Sequence, residues 1–442
     1  MKIQLSDHFT YKKLLRFTAP SILMMVFTSI YGVVDGFFVS NFVGKTPFTA
    51  VNLIFPFLFI LGAFGAMLGT GGSALIAKTL GEGDRDRANE LFSLFVYLSF
   101  GVGVVLAVIA FIFIRPIASL LGAEGETLEN CVIYGRIILV ALPSLMLQFG
   151  FQSFFVTAER PGLGFIITVI SGVTNIVLDA LLVAVFSFGI VGAAIATAMS
   201  QVVGGILPLF YFFSKNTSLL KLGGTRFDGG ALIQACLNGS SEFLTNIALS
   251  VVSMIYNLQL LHYAGNDGVA AYGVLMYVGF IFISLFIGYS IGTAPIVGYN
   301  FGAKRQDELK NILGKSFWVI GITSVTMVVS SLLLAYPFSY LYVVYDKALM
   351  DMTLRAFIIY SFSFLFAGIS IYLSSFFTAL NNGPVSAAIS FIRTLLLQIL
   401  AVLLLPLVLG IDGIWLATVV SDGLAAIISL LFLLFNKKKY GY

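Results

Sequence analysis

The stretch GIVGAAIATAMS at residues 189–200 returns as GIDGIWLATVVS at residues 410–421, and this pair decides the architecture. Three further blocks recur at the same distance, and they begin at Gly44, Gly71 and Thr157. Each recurrence lies 221 residues further on, which is half of the 442-residue chain. Chance can match one glycine-rich apolar block, but four blocks at one constant distance indicate an internal duplication.

The composition indicates that each copy consists of membrane-spanning helices. The chain is 59% hydrophobic and only 10% charged, with a mean hydropathy of +1.02, whereas soluble domains carry about 25% charged residues. A helix needs about 20 apolar residues to cross the hydrocarbon core of a bilayer. Twelve segments meet this requirement, at residues 14–42, 50–77, 88–114, 129–157, 161–186, 189–214, 231–262, 268–300, 308–336, 348–380, 384–409 and 412–436.

Six spans per copy give both halves the same orientation in the membrane. Such parallel repeats are related by a pseudo-two-fold axis along the membrane normal, with the substrate path between them. We therefore predict an all-α polytopic membrane protein with 12 transmembrane helices in two six-helix lobes. The N-lobe is predicted at residues 1–215, a cytoplasmic linker at residues 216–230 and the C-lobe at residues 231–442.

The lysines and arginines are concentrated on one side of the predicted bundle. Of the 24, only Lys45, Arg115 and Lys347 lie on the other side, and Arg136, Arg355 and Arg393 fall inside spans. The remaining 18 lie on the side of both termini. Because cytoplasmic loops carry the excess of basic residues, we expect a multi-pass plasma-membrane protein with both termini in the cytoplasm. The first apolar run is longer than a signal-peptide core, so we predict a retained first span.

Ionisable residues inside spans are the first candidates for function, because a charge costs several kcal/mol within the bilayer. Asp35, Asp179 and Thr197 lie at one depth, about 10–12 Å below the outer boundary at 1.5 Å per residue. Asn175 precedes Asp179 by four residues and shares its helix face. These side chains form an oxygen-rich cluster, which could hold either Na⁺, a hard cation that prefers oxygen ligands, or a proton. We expect no other metal site.

The second half is expected to lack this cluster. Adding 221 turns Asp35 into Tyr256, Asn175 into Leu396 and Asp179 into Leu400, and only Thr197 keeps its type, as Thr418. Since the second half folds without these carboxylates, the asymmetry favours a functional role for the cluster over a purely structural one.

Two other residues inside spans have open roles. Glu242 is a secondary candidate for cation binding, with helix packing or gating as the alternative. Pro20 is expected to bend the span that carries Asp35, because proline removes a helical hydrogen bond. The two cysteines and two histidines exclude a Cys or His metal cluster.

These residues resemble the multidrug and toxic compound extrusion (MATE) transporters. The resemblance covers nearly all of the chain, and its most specific parts are Val34-Asp35 followed by Gly44, GYNFGAK at residues 298–304, and Asn175-x-x-x-Asp179 followed by the stretch at residues 189–197. The sequence is similar to the prokaryotic branch of this family, in which the N-lobe carries the ion site. The resemblance implies that Asp35 and Asp179 bind the coupling cation, and that Asn175 and Thr197 complete its shell.

The resemblance also implies the activity. We expect an antiporter, and not an enzyme, that exports amphipathic or cationic drugs in exchange for H⁺ or Na⁺ by alternating access. No other cofactor and no nucleic-acid partner is expected, and the protein is expected to act as a monomer in the lipid bilayer. The alternatives are an exporter of a single metabolite and a flippase for a lipid-linked precursor.

A flippase should carry several cationic residues in its cavity to hold a pyrophosphate. Only Arg136, Arg355 and Arg393 are available inside spans, and Asp422 is expected to pair with Arg393 or Arg355.

Overall fold

The chain forms a bundle of long helices in a computed structural model, which describes residues 3–343 and 346–442. Every regular element in this part of the chain is helical. Helices α1–α6 are Tyr11–Val43, Thr46–Gly81, Arg85–Leu120, Gly125–Thr157, Pro161–Val185 and Gly189–Phe213. Helices α7 and α8 together form Gly229–Gly302, and helices α9–α12 are Gln306–Tyr340, Lys347–Ala379, Gly383–Leu409 and Ile411–Tyr440.

The count of twelve spans depends on two interrupted stretches, of which one forms two spans and the other forms one bent span. The segment Gly229–Gly302 has 74 residues, far more than the roughly 20 that cross a bilayer. Gly265 divides it with φ 61° and ψ −151°, a conformation that is essentially restricted to glycine. Helix α7 therefore covers 229–264 and α8 covers 266–302, while α10 bends by 49° between Ser361 and Phe364. The predicted architecture of 12 helices in two lobes is confirmed.

The non-helical connection between the lobes, residues 214–228, is as long as the predicted linker but lies two residues earlier in the chain. Helix α7 begins at Gly229 because the Asp228 side chain caps it, accepting a hydrogen bond from the Ala231 amide at 3.0 Å. The last two residues of the predicted linker are therefore helical. The division at 1–215, 216–230 and 231–442 stays a prediction, and residues 1, 2, 344 and 345 within it lie outside the described chain.

The outer surface of the bundle is apolar. Large hydrophobic side chains are widely exposed on it, among them Val140, Leu333 and Phe435, each at least 73% exposed. An apolar patch of this extent cannot face water in a soluble monomer. It suits the hydrocarbon core of a membrane.

The two lobes touch closely at the end of the bundle that carries both termini, here called the basic end. A Cβ atom on Gly81 would lie 2.0 Å from the Tyr299 carbonyl oxygen, and one on Gly302 would lie 2.0 Å from the Lys78 carbonyl oxygen. Adding 221 to Gly81 and Lys78 gives Gly302 and Tyr299, so the internal repeat relates the two contacts. A pseudo-two-fold axis between the lobes produces such a symmetric pair of contacts.

Candidate functional site

The candidate cation site lies where α1, α5 and α6 meet. Asp35 Oδ1 accepts a hydrogen bond from Asn175 Nδ2 at 3.3 Å and another from Thr197 Oγ1 at 3.2 Å. The Asp179 carboxyl neighbours the Asp35 carboxyl. The structure thus brings together all four residues that the sequence proposed for this cluster.

Local features of α5 position its two polar residues. Gly172, three residues before Asn175, allows α5 to pack on the aromatic side of α1, because a Cβ there would lie 2.5 Å from Phe27 Cε1. Asp179 begins the π-helical segment Asp179–Val185. Such π-helical turns are rare and frequently occur at functional sites.

Asp179 is buried without a hydrogen-bond donor. Its side chain is 0% exposed, and neither carboxylate oxygen has a hydrogen-bond partner within the described chain. The side-chain oxygen of Asn175 is likewise buried and without a donor. A buried charge must be neutralised or paired, since leaving it alone in a low dielectric is very costly. A proton shared by the two carboxyl groups meets this need, and so does Na⁺ bound by the carboxylate, amide and hydroxyl oxygens.

Tyr134 of α4 is a neighbour of this cluster that the sequence did not suggest. It is 2% exposed, and it lies close to Thr197 and to both carboxyl groups. One tyrosine in a long apolar span has no recognisable spacing, because its contacts are made by helices distant in sequence. No signal in the sequence could have selected it.

The second half has no carboxylate at the repeat-related places, as expected, but it contains a neutral counterpart of the cluster that the sequence did not reveal. Tyr256, at the place of Asp35, donates its hydroxyl to Gln398 Oε1 at 2.7 Å. The same hydroxyl lies 3.1 Å from Thr418 Oγ1. Gln398 therefore plays the part that Asn175 plays in the N-lobe, whereas the repeat distance of 221 had pointed to Leu396.

A helical irregularity accompanies this two-residue difference. The π-helical segment Ile392–Leu396 in α11 comes before Gln398, whereas the π-helical segment in α5 comes after Asn175. Each π-helical turn takes up extra residues, so the two helices are out of register between these segments. A constant distance along the sequence cannot reveal such a shift.

Glu242 lies away from the four-residue cluster and lines a cavity of about 230 Å³. Most of the lining belongs to the C-lobe, with Thr70, Ser73 and Ser153 contributed by the N-lobe. No ion pair of the Glu242 carboxylate is found among the described residues. Pro20 is accommodated within α1, which stays helical from Tyr11 to Phe38.

The three arginines inside spans have separate partners. Arg136 lies over the Phe111 ring at 5.1 Å from its centroid, and Arg355 pairs with Asp412. Arg393 pairs with Asp422, with 2.9 Å between Nε and Oδ1. This is one of the two pairings that were predicted for Asp422. Of the cationic residues in the described chain, only Arg393 lines the cavity, so the cluster of positive charge expected of a flippase is missing there.

Two repeat-related lobes of six spans, with polar clusters buried between their helices, are typical of a polytopic membrane transporter. The profile of the MatE family matches residues 20–181 and matches again at residues 243–404. The chain therefore belongs to the MATE transporter family. The double match agrees with the internal duplication.

Characterised relatives and solved structures are similar over most of the chain. The multidrug export protein MepA of Staphylococcus haemolyticus strain JCSC1435 is 27% identical over 364 residues, covering 81% of this chain and 80% of that protein. MepA of Staphylococcus aureus strain MRSA252 is 24% identical over 423 residues, covering 95% and 93%. An outward-facing structure of a multidrug resistance MATE family transporter of the MOP superfamily shares the fold, with a TM-score of 0.92, 22% identity and coverage of 98% and 97%.

Proposed function

We propose that this protein is a multidrug efflux antiporter of the plasma membrane, which exports amphipathic or cationic compounds in exchange for H⁺ or Na⁺. Membership of the MATE family and the similarity to proteins named as multidrug exporters support the efflux activity. The excess of basic residues at the basic end supports a cytoplasmic position of both termini. We propose that the protein acts as a monomer and needs no cofactor besides its coupling ion.

The observation that carries the ion-coupling proposal is the buried carboxylate of Asp179 beside that of Asp35. Two adjacent carboxylates in a low dielectric cannot both stay charged without a cation or a proton. Binding of the ion therefore changes the charge of the N-lobe by one unit at this point. Asn175 and Thr197 would complete the oxygen shell of Na⁺, or would hold the Asp35 carboxylate when it is ionised.

The position of the closed contacts supports alternating access. With the basic end in the cytoplasm, we propose that the close approach of the lobes there closes the cytoplasmic side and leaves the cavity open to the outside. An ion arriving from outside would neutralise the Asp35–Asp179 pair and alter the packing of α1, the helix that also contains Pro20. Coupling requires that the ion bind one conformation more tightly than the other. If each cycle moves one net charge inward through 100 mV, it gains about 2.3 kcal/mol, enough for a roughly 50-fold drug gradient.

The proposal predicts that Asp35→Asn and Asp179→Asn each abolish ion-driven drug uptake. The measurement is uptake of ethidium into inside-out vesicles under an imposed H⁺ gradient or an imposed Na⁺ gradient. Each asparagine keeps the side-chain volume but cannot carry the charge that the ion neutralises. The gradient that drives uptake by the unmodified protein identifies the coupling ion.

Glu242→Gln serves as the comparison, because it removes an acidic group from the cavity and leaves the N-lobe cluster intact. We expect this variant to keep its dependence on the gradient, with a changed apparent affinity for ethidium. Uptake that survives in both aspartate variants but disappears in Glu242→Gln would move the coupling site to the C-lobe. Absence of driven uptake in the unmodified protein, over a panel of organic cations, would favour an exporter of a single metabolite.

A further inference from the structure

The cavity of the C-lobe carries charges of both signs. Three charged residues line it within the described chain, namely Glu242, Arg393 and Asp422. Tyr256 and Tyr272 also line it and stack on each other, with 5.2 Å between ring centroids and 12° between planes. The cavity therefore combines an acidic group, a basic group and an aromatic wall.

The guanidinium of Arg393 has N–H donors that are not used in hydrogen bonds to other residues of the described chain. Asp422 Oδ1 accepts the Nε hydrogen at 2.9 Å, and Arg393 and Asp422 are only 14% and 2% exposed. A guanidinium has five N–H donors in a rigid fork. No hydrogen bond joins either Nη group to another residue of the described chain. Asp422 thus fixes one edge of the guanidinium and leaves the other donors available at the cavity wall.

The fold of a lobe does not require this ion pair. Subtracting 221 from Asp422 gives Gln201, and the counterpart of Arg393 is Gly172 by the repeat distance or Ile170 with the two-residue shift, so all of these places are neutral. The N-lobe nevertheless builds the same six-helix arrangement. Buried ion pairs contribute little net stability, because desolvation offsets their attraction. A buried pair that the sister lobe lacks, and that borders a cavity, is better explained by ligand binding than by folding.

We propose that the C-lobe cavity is a binding subsite for zwitterionic amphipaths, in which the Nη groups of Arg393 bind the carboxylate of the substrate. The planar fork of arginine matches a carboxylate with two parallel hydrogen bonds. Glu242 attracts the cationic end of the substrate, and the stacked Tyr256 and Tyr272 face its ring system, where aromatic faces also attract cations. This inference names a substrate class of the proposed efflux activity and rests on it.

The test uses two dyes that differ by one methyl ester. Rhodamine 110 has a free carboxylate and is zwitterionic, whereas its methyl ester, rhodamine 123, is a plain cation. The affinity of each dye for the purified full-length protein in lipid nanodiscs is measured by fluorescence polarisation. The double variant Arg393→Met with Asp422→Leu removes both charges together, so that neither is left buried and unpaired.

We expect the double variant to lose at least tenfold in affinity for rhodamine 110 and less than twofold for rhodamine 123. Arg393→Lys keeps the charge next to Asp422 but lacks the planar fork. It should weaken the binding of rhodamine 110 by a smaller factor than the double variant does, and it should leave the binding of rhodamine 123 unchanged. This second variant keeps the test valid if the double variant does not fold, as judged by its melting temperature.

Equal losses for both dyes in a folded variant would overturn the inference, and so would unchanged binding of rhodamine 110. Failure of the unmodified protein to bind rhodamine 110 would overturn it as well. Gradient-driven uptake of rhodamine 123 tests the antiport activity separately, because that dye has no carboxylate for Arg393. The two proposals can therefore fail independently.

Discussion

Thr197 and Thr418 occupy equivalent places in the two lobes but contact chemically different partners. Thr197 Oγ1 lies 3.2 Å from the Asp35 carboxylate, whereas Thr418 Oγ1 lies 3.1 Å from the Tyr256 hydroxyl. The same residue type thus contacts an ionisable group in one lobe and a phenol in the other. The chain supplies its own matched control for the role of a hydroxyl at the candidate ion site.

We predict that Thr197→Val shifts the ion concentration for half-maximal drug uptake by about tenfold, since a hydrogen bond to a charged group is worth roughly 1.5–3 kcal/mol. The direction depends on the ion. If Na⁺ is coupled, loss of an oxygen ligand raises the concentration required. If H⁺ is coupled, the carboxylate loses a stabilising donor and binds the proton more tightly, so a lower proton concentration suffices.

The measurement is the ion dependence of ethidium uptake into vesicles, and the control is Thr418→Val, which should leave that dependence unchanged. If Thr197→Val leaves the ion concentration for half-maximal uptake unchanged, the assignment of the ion site is contradicted. Equal shifts in both variants would point to a general packing effect.

At the scale of the helices, close approach at the basic end depends on glycine. A Cβ atom on Gly71 of α2 would lie 1.9 Å from the carbonyl oxygen of Ala235 in α7. That distance is far below van der Waals contact, and the obstacle is backbone, which cannot rotate away. The closed contact between α2 and α7 therefore excludes every larger side chain at this position.

We predict that Gly71→Ala shifts the conformational equilibrium about tenfold away from the state closed at the basic end, because overpacking costs typically 1–3 kcal/mol. A single cysteine, Leu249→Cys at the cavity wall, would report the state in a background with both native cysteines replaced by serine. The labelling rate of intact cells by an impermeant thiol reagent should fall with Gly71→Ala.

Gly101→Ala is the control for this experiment, since a Cβ on Gly101 meets nothing within 4 Å. In the Gly101→Ala variant, the cysteine at position 249 should be labelled at the same rate as in the single-cysteine protein without this change. Unchanged labelling of the Gly71→Ala variant would show that the contact does not limit closure.

At the scale of the whole molecule, residues 3–10 form a strap that joins the two lobes at the basic end. The Leu5 amide donates to Glu159 Oε1 at 2.8 Å, next to the end of α4. Four residues on, the Phe9 amide donates to Glu308 Oε1 of α9 at 2.9 Å, and His8 Nδ1 lies 2.7 Å from Glu308 Oε2. The strap is therefore fastened to the N-lobe at one point and to the C-lobe at another.

The segment before α7 is fastened in a similar way to α3. Asp228 pairs with Arg87, and adding 221 to Arg87 gives Glu308, so both lobes hold their entering segment at the same helical position. The hydrogen bond from the Ala231 amide, together with the Arg87 guanidinium, lowers the pKa of the partly exposed Asp228 carboxyl. The duplication has preserved the attachment point while reversing the sign of its charge.

We predict that Glu308→Ala releases the strap, so that the amides of residues 5–9 exchange hydrogen about tenfold faster. Glu308 is 5% exposed and accepts bonds from three groups, including Asn311 Nδ2 at 2.8 Å. Loss of buried bonds to a charged group lowers the cost of local opening by at least about 1.5 kcal/mol. Hydrogen exchange measured by mass spectrometry tests this in the full-length protein.

Asp307→Ala is the matched control, because it removes an acidic group from the exposed position just before Glu308. Its exchange should equal that of the unmodified protein. Equal protection in Glu308→Ala would mean that packing of Leu5 and Phe9 alone retains the strap.

The membrane class, the twelve spans and the duplication could all be predicted from the amino-acid sequence. These are properties of composition and of periodicity along the chain, and the bilayer imposes span length on any sequence of this hydropathy. It also brought forward Asp35, Asn175, Asp179 and Thr197, because a polar group inside an apolar span is conspicuous and helix geometry converts spacing into depth.

The packing of the helices shows which groups lack partners and which residues complete each cluster. Gln398 enters the C-lobe cluster two residues beyond the place that the repeat distance gives, Tyr134 approaches the N-lobe cluster from α4, and Asp422 pairs with Arg393 and not with Arg355. The tertiary structure also decided that the basic end is the closed one. Hydropathy records how each residue prefers its surroundings. Contacts between residues on different helices depend on how those helices cross and rotate, and a one-dimensional pattern does not specify that.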